Sequence, residues 1–337
     1  MKILLIQLRR IGDILLSTPV ISYLKKTLPE AQIDFLCESM GKTVLETHPD
    51  LKEVLLYDKS SSVKEILRIR ERRYDAVIDF MGNPRTALLT GFSGAKRKIG
   101  FRFAGRSFFY NVRIPVPAEP EYVSKRKFRL VLEYISLLGI SFHRPSSYRP
   151  VLYLTTEDER FAQKWLEEKR LKTKSFVVLA PAHRHPIRQW HAEGFRDVGL
   201  KIKQTGIPVF LAWGPSEERV MAGIRKGYEK ELELLPATSL RQMAAILKTA
   251  KGLLTNDSGA MHLAVSVGTP TVTIYGPTRP IDWNPSFLED DGHDIPLTAQ
   301  NVPCLGCHRS RCPVGHICMS HLSVEDVYQA CRIFLRN

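Results

Sequence analysis

The chain has 337 residues, more than one ordinary hydrophobic core accommodates, so two domains of roughly 150 residues each are expected. Hydrophobic residues make up 44% and charged residues 25% of the sequence, as in globular proteins, and no apolar run reaches the ~18 residues that a membrane span requires. The net charge of +14 is uneven, since residues 1–160 carry 27 Lys and Arg against 18 Asp and Glu, whereas residues 161–337 carry 22 against 17.

The first half of the chain alternates predicted strands and helices. Residues 2–8 form an apolar strand, 9–13 a polar turn and 14–28 a helix; further strands are expected at 32–38, 54–57 and 76–80, with a basic helix at 62–73. This order predicts a doubly wound parallel sheet. The turn that contains Asp13 then lies at the carboxyl end of the first strand, where such sheets place their ligand sites.

A proline-containing stretch, residues 145–153, interrupts this pattern and predicts a boundary between domains 1–150 and 151–322. The second series has helices at 156–170, 192–205 and 240–249, and strands at 175–180, 208–213, 252–255 and 271–275. Residues 323–337 form an amphipathic final helix, which Ser323 caps with Asp326 in the capping-box position. Both halves are therefore predicted to be Rossmann-like α/β domains.

The segment 255–278, with the sequence TNDSGAMHLAVSVGTPTVTIYGPT, is the most specific in the chain. It places a polar turn between a strand and an apolar helix, and either Asp257 or Ser258 can cap that helix. The free amides of residues 258–261 would then form an anion-binding helix start. An ordinary helix cap beside a hydrogen-bonded histidine is the alternative interpretation.

Four of the six cysteines are clustered near the carboxyl terminus. The cluster reads Cys304-x2-Cys307-x4-Cys312-x5-Cys318, with His308, His316 and His321 among or beside them. Without a secretion signal, such clustering favours metal or redox chemistry over stable disulfides. The spacing lacks two well-separated CxxC pairs, however, so reduced thiols in a surface loop are favoured over a structural metal and no metal ligands are assigned.

Basic clusters at residues 64–73, 96–106 and 125–129 could attract a phosphate-rich or membrane-bound partner, although scattered solvated side chains would give the same count. Aromatic residues alternate with arginine in residues 100–110, as on some RNA-binding surfaces. No RRM, KH or zinc-finger pattern accompanies them, so no nucleic acid partner is predicted.

The two α/β halves, the R-x-G-D turn at residues 10–13 and the N-D-S-G-x-x-H-x-A…G-T-P…Y-G-P-T signature together resemble glycosyltransferase family 9, the bacterial heptosyltransferases. The resemblance covers nearly the whole chain, and its opening residues and cysteine-rich tail are similar to the branch described as heptosyltransferase III. It implies transfer of heptose from ADP-heptose to the lipopolysaccharide inner core. It also implies a GT-B fold, in which two Rossmann-like domains face each other across a cleft, with the acceptor on the first, the donor on the second and the final helix packing back on the first.

For the residues, the resemblance implies that Asp13 is the general base of an inverting transfer, the alternative being a helix cap. Arg188 and His262 would contact the donor's phosphates or hydroxyls. The remaining predicted substrate-binding residues are Asp257, Ser258 and Gly259 around the diphosphate and sugar, Glu218 (or its neighbour Glu217) at the ribose, and Thr238 at the adenine. No DxD motif is present, so protein donors are expected to stabilise the leaving group, and neither a cofactor nor a metal is predicted.

Two other classes of function stay open at this point. One is a different GT-B nucleotide-sugar enzyme, and the other is a non-enzymatic RNA- or metal-binding protein. The first residues lack a signal-peptide cleavage region, which predicts a cytoplasmic protein. Because lipopolysaccharide precursors are anionic and membrane-anchored, the basic first half is expected to hold the protein at the periphery of the inner membrane.

Overall fold

The computed structural model describes residues 1–289 and 292–335. The chain divides into two compact units, Met1–Tyr153 and Leu154–Asn337, so the division falls three residues after the boundary predicted at residue 150. Within the described residues, no helix combines the length and the apolar character that crossing a membrane requires.

The first unit is a six-stranded sheet with flanking helices. Its strands are β1 (Lys2–Ile6), β2 (Gln32–Cys37), β3 (Glu53–Leu56), β4 (Ala76–Asp79), β5 (Arg97–Phe101) and β6 (Val112–Ile114). Its helices are α1 (Ile11–Leu15), α2 (Thr18–Thr27), α3 (Ser39–Leu45), α4 (Ser62–Glu71), α5 (Pro84–Phe92) and α6 (Val123–Leu137). The strand order is β3-β2-β1-β4-β5-β6, and every neighbouring pair is parallel.

The central strand β1 explains why the sheet is covered on both faces. All four residues from Ile3 to Ile6 are fully buried, which suits a strand inside a parallel sheet and not one with a solvated face. Ile3 pairs with Ile33 on β2 and with Ala76 on β4, so the polar residues that follow β1 emerge between these two neighbours.

The helix predicted at residues 14–28 is in fact two helices. Helix α1 begins at Ile11 and ends at Leu15, and α2 begins at Thr18 with Pro19 in its first turn. Proline has no amide hydrogen to donate and favours a first helical turn, which accounts for the new start. The break leaves the carbonyl of Asp13 to accept from the hydroxyl of Ser17 at 3.0 Å.

The second unit repeats the architecture of the first. Its strands are β7 (Val177–Ala180), β8 (Val209–Leu211), β9 (Glu233–Leu234), β10 (Gly252–Asn256), β11 (Thr271–Tyr275) and β12 (Asp294–Thr298). Its helices are α7 (Thr156–Lys169), α8 (Ala192–Gln204), α9 (Glu218–Arg225), α10 (Leu240–Thr249), α11 (Gly259–Ser266), α12 (Pro280–Trp283), α13 (Ile317–Ser320) and α14 (Val324–Cys331). The parallel order β9-β8-β7-β10-β11-β12 matches that of the first unit strand for strand.

This shared order defines where ligands are expected in each unit. The strand sequence reverses direction between β1 and β4 in the first sheet, and between β7 and β10 in the second. Parallel sheets bind ligands beyond the carboxyl ends of the strands at such a reversal. The Asp13 turn follows β1, and the NDSG segment follows β10, so each lies at the reversal point of its own sheet.

The carboxyl-terminal helix belongs to the core of the second unit. Ser323 and Asp326 form the predicted capping box at the start of α14. Val327, Cys331 and Phe334 are buried in the cluster that also contains Phe195 of α8. The buried side of α14 therefore packs within the second unit, and the expectation that the final helix also packs back on the first domain stays a prediction. Residues 336 and 337 of the predicted helix lie outside the described residues.

Candidate active site

Asp13 lies in the first turn of α1 and is not the cap of that helix. The N-cap position belongs to Arg10, whose side chain makes no capping bond and whose φ of 67° lies in the left-handed region. A non-glycine residue in that region carries backbone strain, and such residues are concentrated at functional sites. The helix-cap interpretation of Asp13 is therefore wrong, and its carboxyl has no capping role to perform.

A buried lysine lies beside Asp13. Lys127, on α6, is 3% exposed and donates from Nζ to the backbone carbonyl of Asp13 and, at 2.8 Å, to the hydroxyl of Ser17. Its ammonium group also lies 5.6 Å from the centre of the Phe80 ring, just after β4. The lysine therefore joins the loops that follow the two strands on either side of the reversal point.

Burial and charge shift the pKa values of this pair in opposite directions. Burial raises the pKa of the Asp13 carboxyl, and the Lys127 and Arg10 cations offset part of that rise. Burial also lowers the pKa of Lys127 to about 8, although the Asp13 carboxylate counteracts it. A carboxylate with a raised pKa is a better proton acceptor than an ordinary aspartate. A neighbouring carboxyl and ammonium group with shifted pKa values are typical of functional sites.

Sequence reasoning counted Lys127 only as part of the basic cluster 125–129. The signal that distinguishes it is its place on the apolar stripe of α6. Ser124, Phe128 and Val131 share its buried face, whereas Arg129 is exposed. A lysine at the centre of an apolar helical stripe has to be buried, and its position could have been recognised from the period of the helix.

The predicted donor-binding residues lie along one edge of the second sheet. Four neighbouring strands, β10, β7, β8 and β9, end at this edge. Arg188 follows β7, Glu218 follows β8, Thr238 follows β9, and the group Asp257, Ser258, Gly259 and His262 follows β10. The fold thus places all seven residues on loops or helix starts at the carboxyl ends of adjacent strands.

Arg188 and Asp257 form an ion pair between two of these loops. An Nη1 atom of Arg188 lies 3.5 Å from Oδ2 of Asp257, whose side chain is 6% exposed. Beside them, burial lowers the pKa of His183 to about 4, and the positive charge of Arg188 acts in the same direction. His183 is therefore neutral at physiological pH, and Arg188 supplies the positive charge that lies next to Asp257.

Asn256 holds the Arg188 loop in place, a role that sequence reasoning did not assign to it. Its Oδ1 accepts from the amide of Trp190 at 2.9 Å, and its Nδ2 donates to the carbonyl of Pro181 at 2.8 Å. One buried side-chain amide thereby ties both ends of the loop after β7 to the end of β10. The N-D-S-G motif contained this residue, but only the fold reveals what it contacts.

Ser258 is the cap of α11, as one of the two predicted alternatives required. Its hydroxyl accepts from the amide of Ala260 at 3.3 Å. A Cβ placed on Gly259 would meet no heavy atom within 4 Å, so the backbone is open on that side. His262 is 4% exposed, and its ring makes an edge contact with Trp283 at 5.9 Å between centroids. The helix start can therefore be approached by an anion, with a fixed imidazole behind it.

Glu217 and Glu218 differ clearly in their surroundings. The carboxylate of Glu217 accepts from the amide of Gly214 at 2.8 Å and closes the turn after β8. Glu218 begins α9 and is exposed. Of the two glutamates, Glu218 has the carboxylate that is available to a ligand.

Thr238 precedes Ser239, which caps α10. The indole of Trp213 donates to the carbonyl of Leu235 at 2.8 Å, and this bond joins the loop after β8 to the loop after β9.

The cysteine segment packs on the loop after β11. The amides of Gly306 and His308 donate to the carbonyls of Gly276 and Pro277 at 2.9 and 2.7 Å. Burial first, and then the neighbouring thiols, raise the pKa of Cys318. Among the described residues, no three His, Cys, Asp or Glu side chains are arranged to hold a metal ion, and all six cysteines are free thiols.

Comparison with known proteins identifies the family. The sequence profile described as glycosyltransferase family 9 (heptosyltransferase) matches residues 63–313, about three quarters of the chain. The chain belongs to this family. It is therefore a glycosyltransferase, and the seven residues at the edge of the second sheet lie inside the matched range, whereas Asp13 precedes it.

Individual relatives agree with the family assignment. Lipopolysaccharide heptosyltransferase 1 of Escherichia coli O18:K1:H7 is 24% identical over 301 residues, covering 83% of this chain and 87% of the relative. The glycosyl transferase family 9 structure from Veillonella parvula has a TM-score of 0.81 at 22% identity and covers 100% of this chain and 97% of its own. The E. coli heptosyltransferase WaaC with ADP-2-deoxy-2-fluoro heptose has a TM-score of 0.71 at 23% identity, with 98% of each chain covered. These likenesses confirm the predicted GT-B class.

Proposed function

We propose that this protein transfers heptose from ADP-heptose to the inner core of lipopolysaccharide, with inversion at the anomeric carbon and with Asp13 as the general base. The observation that carries the catalytic assignment is that buried Lys127 binds the backbone carbonyl of Asp13 at the reversal point of the first sheet. The substrates are assigned from the family and from relatives whose names specify lipopolysaccharide heptosyltransferase and an ADP-heptose analogue.

The donor is assigned to the second unit. The diphosphate accepts from the open amides at Ser258 and Gly259 and from the guanidinium of Arg188. Arg188 has five N–H donors, so it can keep a contact with Asp257 and still turn others to a phosphate. Asp257 and His262 contact sugar hydroxyls or phosphate oxygens, Glu218 the ribose and Thr238 the adenine. These groups favour the leaving diphosphate because they meet the negative charge that builds up on it.

The transfer itself is a single displacement. The carboxylate of Asp13 takes the proton of the acceptor hydroxyl as that oxygen bonds to the anomeric carbon, on the face opposite the diphosphate. The bond between the anomeric carbon and the diphosphate breaks in the same step, so ADP leaves with the electron pair and the configuration inverts. Lys127 acts as a positioning residue, because it fixes the backbone of Asp13 and lowers the carboxylate's pKa through its charge.

Replacement of Asp13 tests the catalytic role. Asp13→Asn keeps the shape of the side chain and removes the base, so the rate of ADP release from ADP-heptose with heptose-deficient core lipid is expected to fall by about 10²–10⁴. The affinity for ADP should not change, because the donor binds the other unit. Asp58→Asn, in an exposed loop of the first unit, serves as the matched control. Equal rates of ADP release by Asp13→Asn and wild type would show that another group is the base.

The acceptor also determines where the protein works. A lipopolysaccharide precursor presents its phosphates and carboxylates at the surface of a membrane, and residues 1–160 carry nine more basic than acidic residues. A basic acceptor-binding unit is attracted to such a surface. We therefore place the protein in the cytoplasm at the periphery of the inner membrane, without a nucleic acid partner.

A further inference from the structure

An exposed aromatic cluster lies on one side of the first unit. The side chains of Leu88 and Phe92 on α5 are 38% and 50% exposed, and Phe108, in the short helical turn 107–109, is 66% exposed. The ring of Phe109 lies 4.2 Å from that of Phe108 and 6.1 Å from that of Phe92 between centroids. The three rings therefore form one continuous apolar surface, which we call the phenylalanine cluster (Phe92, Phe108 and Phe109).

The fold holds these rings outward. Helix α5 buries Ala87 and Leu89 and turns Leu88 and Phe92, four residues apart, to the opposite side. A Cβ on Gly91 would lie only 2.5 Å from the Phe109 ring, so this glycine makes room for Phe109 against the helix. With Phe109 seated there, its neighbour Phe108 projects away from the protein. The exposure of Phe108 therefore follows from the close packing of Phe109 against α5.

The chain segment that carries the cluster is basic. Residues 80–118 contain seven Lys and Arg and no Asp or Glu. Arg85 precedes Leu88 by one helical turn, Lys96 follows Phe92 by four residues, and Arg102 precedes the turn that carries Phe108; all three are exposed. An apolar surface within a basic border complements a bilayer whose headgroups are anionic and whose acyl chains begin just beneath them.

We infer that the phenylalanine cluster and its basic border dock the protein on an anionic lipid bilayer, with the rings in the headgroup and acyl boundary and the cations on lipid phosphates. The inference deepens the proposed function, on which it rests, because the acceptor proposed there is anchored in such a bilayer. Docking through the first unit would hold the acceptor-binding unit against the layer from which its substrate projects.

The alternation of aromatic residues and arginine in this segment is also found on some RNA-binding surfaces. The geometry of the rings, however, favours a bilayer over single-stranded RNA. Bases stack on free ring faces. Here the rings of Phe108 and Phe109 are packed on each other at a 35° angle, and Phe92 meets Phe109 edge-on at 62°, so the faces turned inward are occupied by neighbouring rings. A mutually packed apolar cluster buries its remaining surface in acyl chains without needing free faces.

Vesicle sedimentation with the full chain tests the inference. Wild type should bind vesicles of phosphatidylethanolamine and phosphatidylglycerol, and binding should weaken with salt and on vesicles of phosphatidylcholine alone. The double variant Phe92→Ser/Phe108→Ser should partition about tenfold or more less strongly, because its apolar contact is lost. Lys96→Ser/Arg102→Ser should bind more weakly with a reduced dependence on salt.

A matched control separates this surface from exposed aromatics in general. Phe287, in the second unit, is 48% exposed, and Phe287→Ser should bind vesicles as wild type does. Wild-type binding by Phe92→Ser/Phe108→Ser would overturn the inference, as would an equal loss in Phe287→Ser. So would a result in which the double variant loses binding to polyuridylate but keeps binding to vesicles. Circular dichroism verifies that each variant is folded.

A water-soluble, deacylated core acceptor distinguishes failure of this inference from failure of the proposed function. Wild type and Phe92→Ser/Phe108→Ser should glycosylate this acceptor at the same rate, since no bilayer is involved. If wild type cannot transfer heptose to it or to the lipid-anchored acceptor, the proposed function is wrong, and with it the reason for docking. If transfer occurs but vesicle binding does not depend on the cluster, only the docking surface is wrong.

Discussion

Lys127 is the residue whose burial is hardest to explain by stability alone. A pKa lowered from 10.5 to about 8 means that keeping this ammonium charged inside the protein costs about 3 kcal/mol relative to water. A methionine would fill the same space among the apolar neighbours on α6 without that cost. The retained charge is accounted for by the neighbouring group that benefits from it, the carboxylate of Asp13.

The pH dependence of the reaction tests this relation. The Lys127 cation lowers the pKa of Asp13, so Lys127→Met should raise that pKa and move the acidic limb of the kcat/KM profile to higher pH, by about one unit. Lys127→Arg keeps the charge and should restore the limb toward its wild-type position. Lys125→Met, on the more exposed side of the same helix, is the control and should leave the profile unchanged. An acidic limb that does not move in Lys127→Met would rule out electrostatic coupling to the base.

Among the secondary-structure elements, the loop between β7 and α8 depends most on a single side chain. Asn256→Ala would leave the buried amide of Trp190 and the carbonyl of Pro181 without their partner. Each unsatisfied group is expected to lower the free energy of unfolding by about 1–3 kcal/mol. Because this loop carries Arg188, we expect the affinity for ADP to fall about tenfold or more, measured by titration calorimetry. Asn111→Ala is the control, since Asn111 bridges the backbone of Lys98 and Lys96 in the first unit at 2.8 and 2.7 Å. Asn111→Ala should lower the stability of the protein without changing its affinity for ADP. An unchanged ADP affinity in Asn256→Ala would disprove the positioning role of Asn256.

Sequence patterns predicted the elements better than they predicted the contacts between them. Helix α10 and strand β11 have the predicted bounds, because an apolar period with clear ends specifies both. The break between α1 and α2 was missed, although Pro19 marks it, since the apolar period continues across residues 14–28. The positions of Asp13 and Asp257 at strand ends followed from the order of elements. The bridging role of Asn256 depends on which strands are neighbours, which no local pattern contains.

For the whole molecule, the two units have the same strand order but separate cores. The carboxyl-terminal turn helps to complete the second core, where Phe334 is 1% exposed and a Cβ on Gly252 would lie 2.1 Å from its ring. The glycine at the start of β10 thus allows the terminal segment to lie directly on the strand that leads to the NDSG turn. Integrity of the proposed donor-binding edge and packing of the chain end are expected to be linked for this reason.

Unfolding monitored by fluorescence can measure this link, because all four tryptophans, Trp165, Trp190, Trp213 and Trp283, belong to the second unit. Phe334→Ala removes a fully buried ring and should lower the unfolding free energy seen by tryptophan fluorescence by about 3–5 kcal/mol. Under the proposed function ADP binds only the folded second unit, so at 100 times its Kd it should restore about 2.7 kcal/mol of unfolding free energy. Phe108→Ala, an exposed ring of the first unit, is the control and should leave the fluorescence transition in place. If Phe334→Ala also leaves it in place, the chain end does not contribute to the core that supports the donor site.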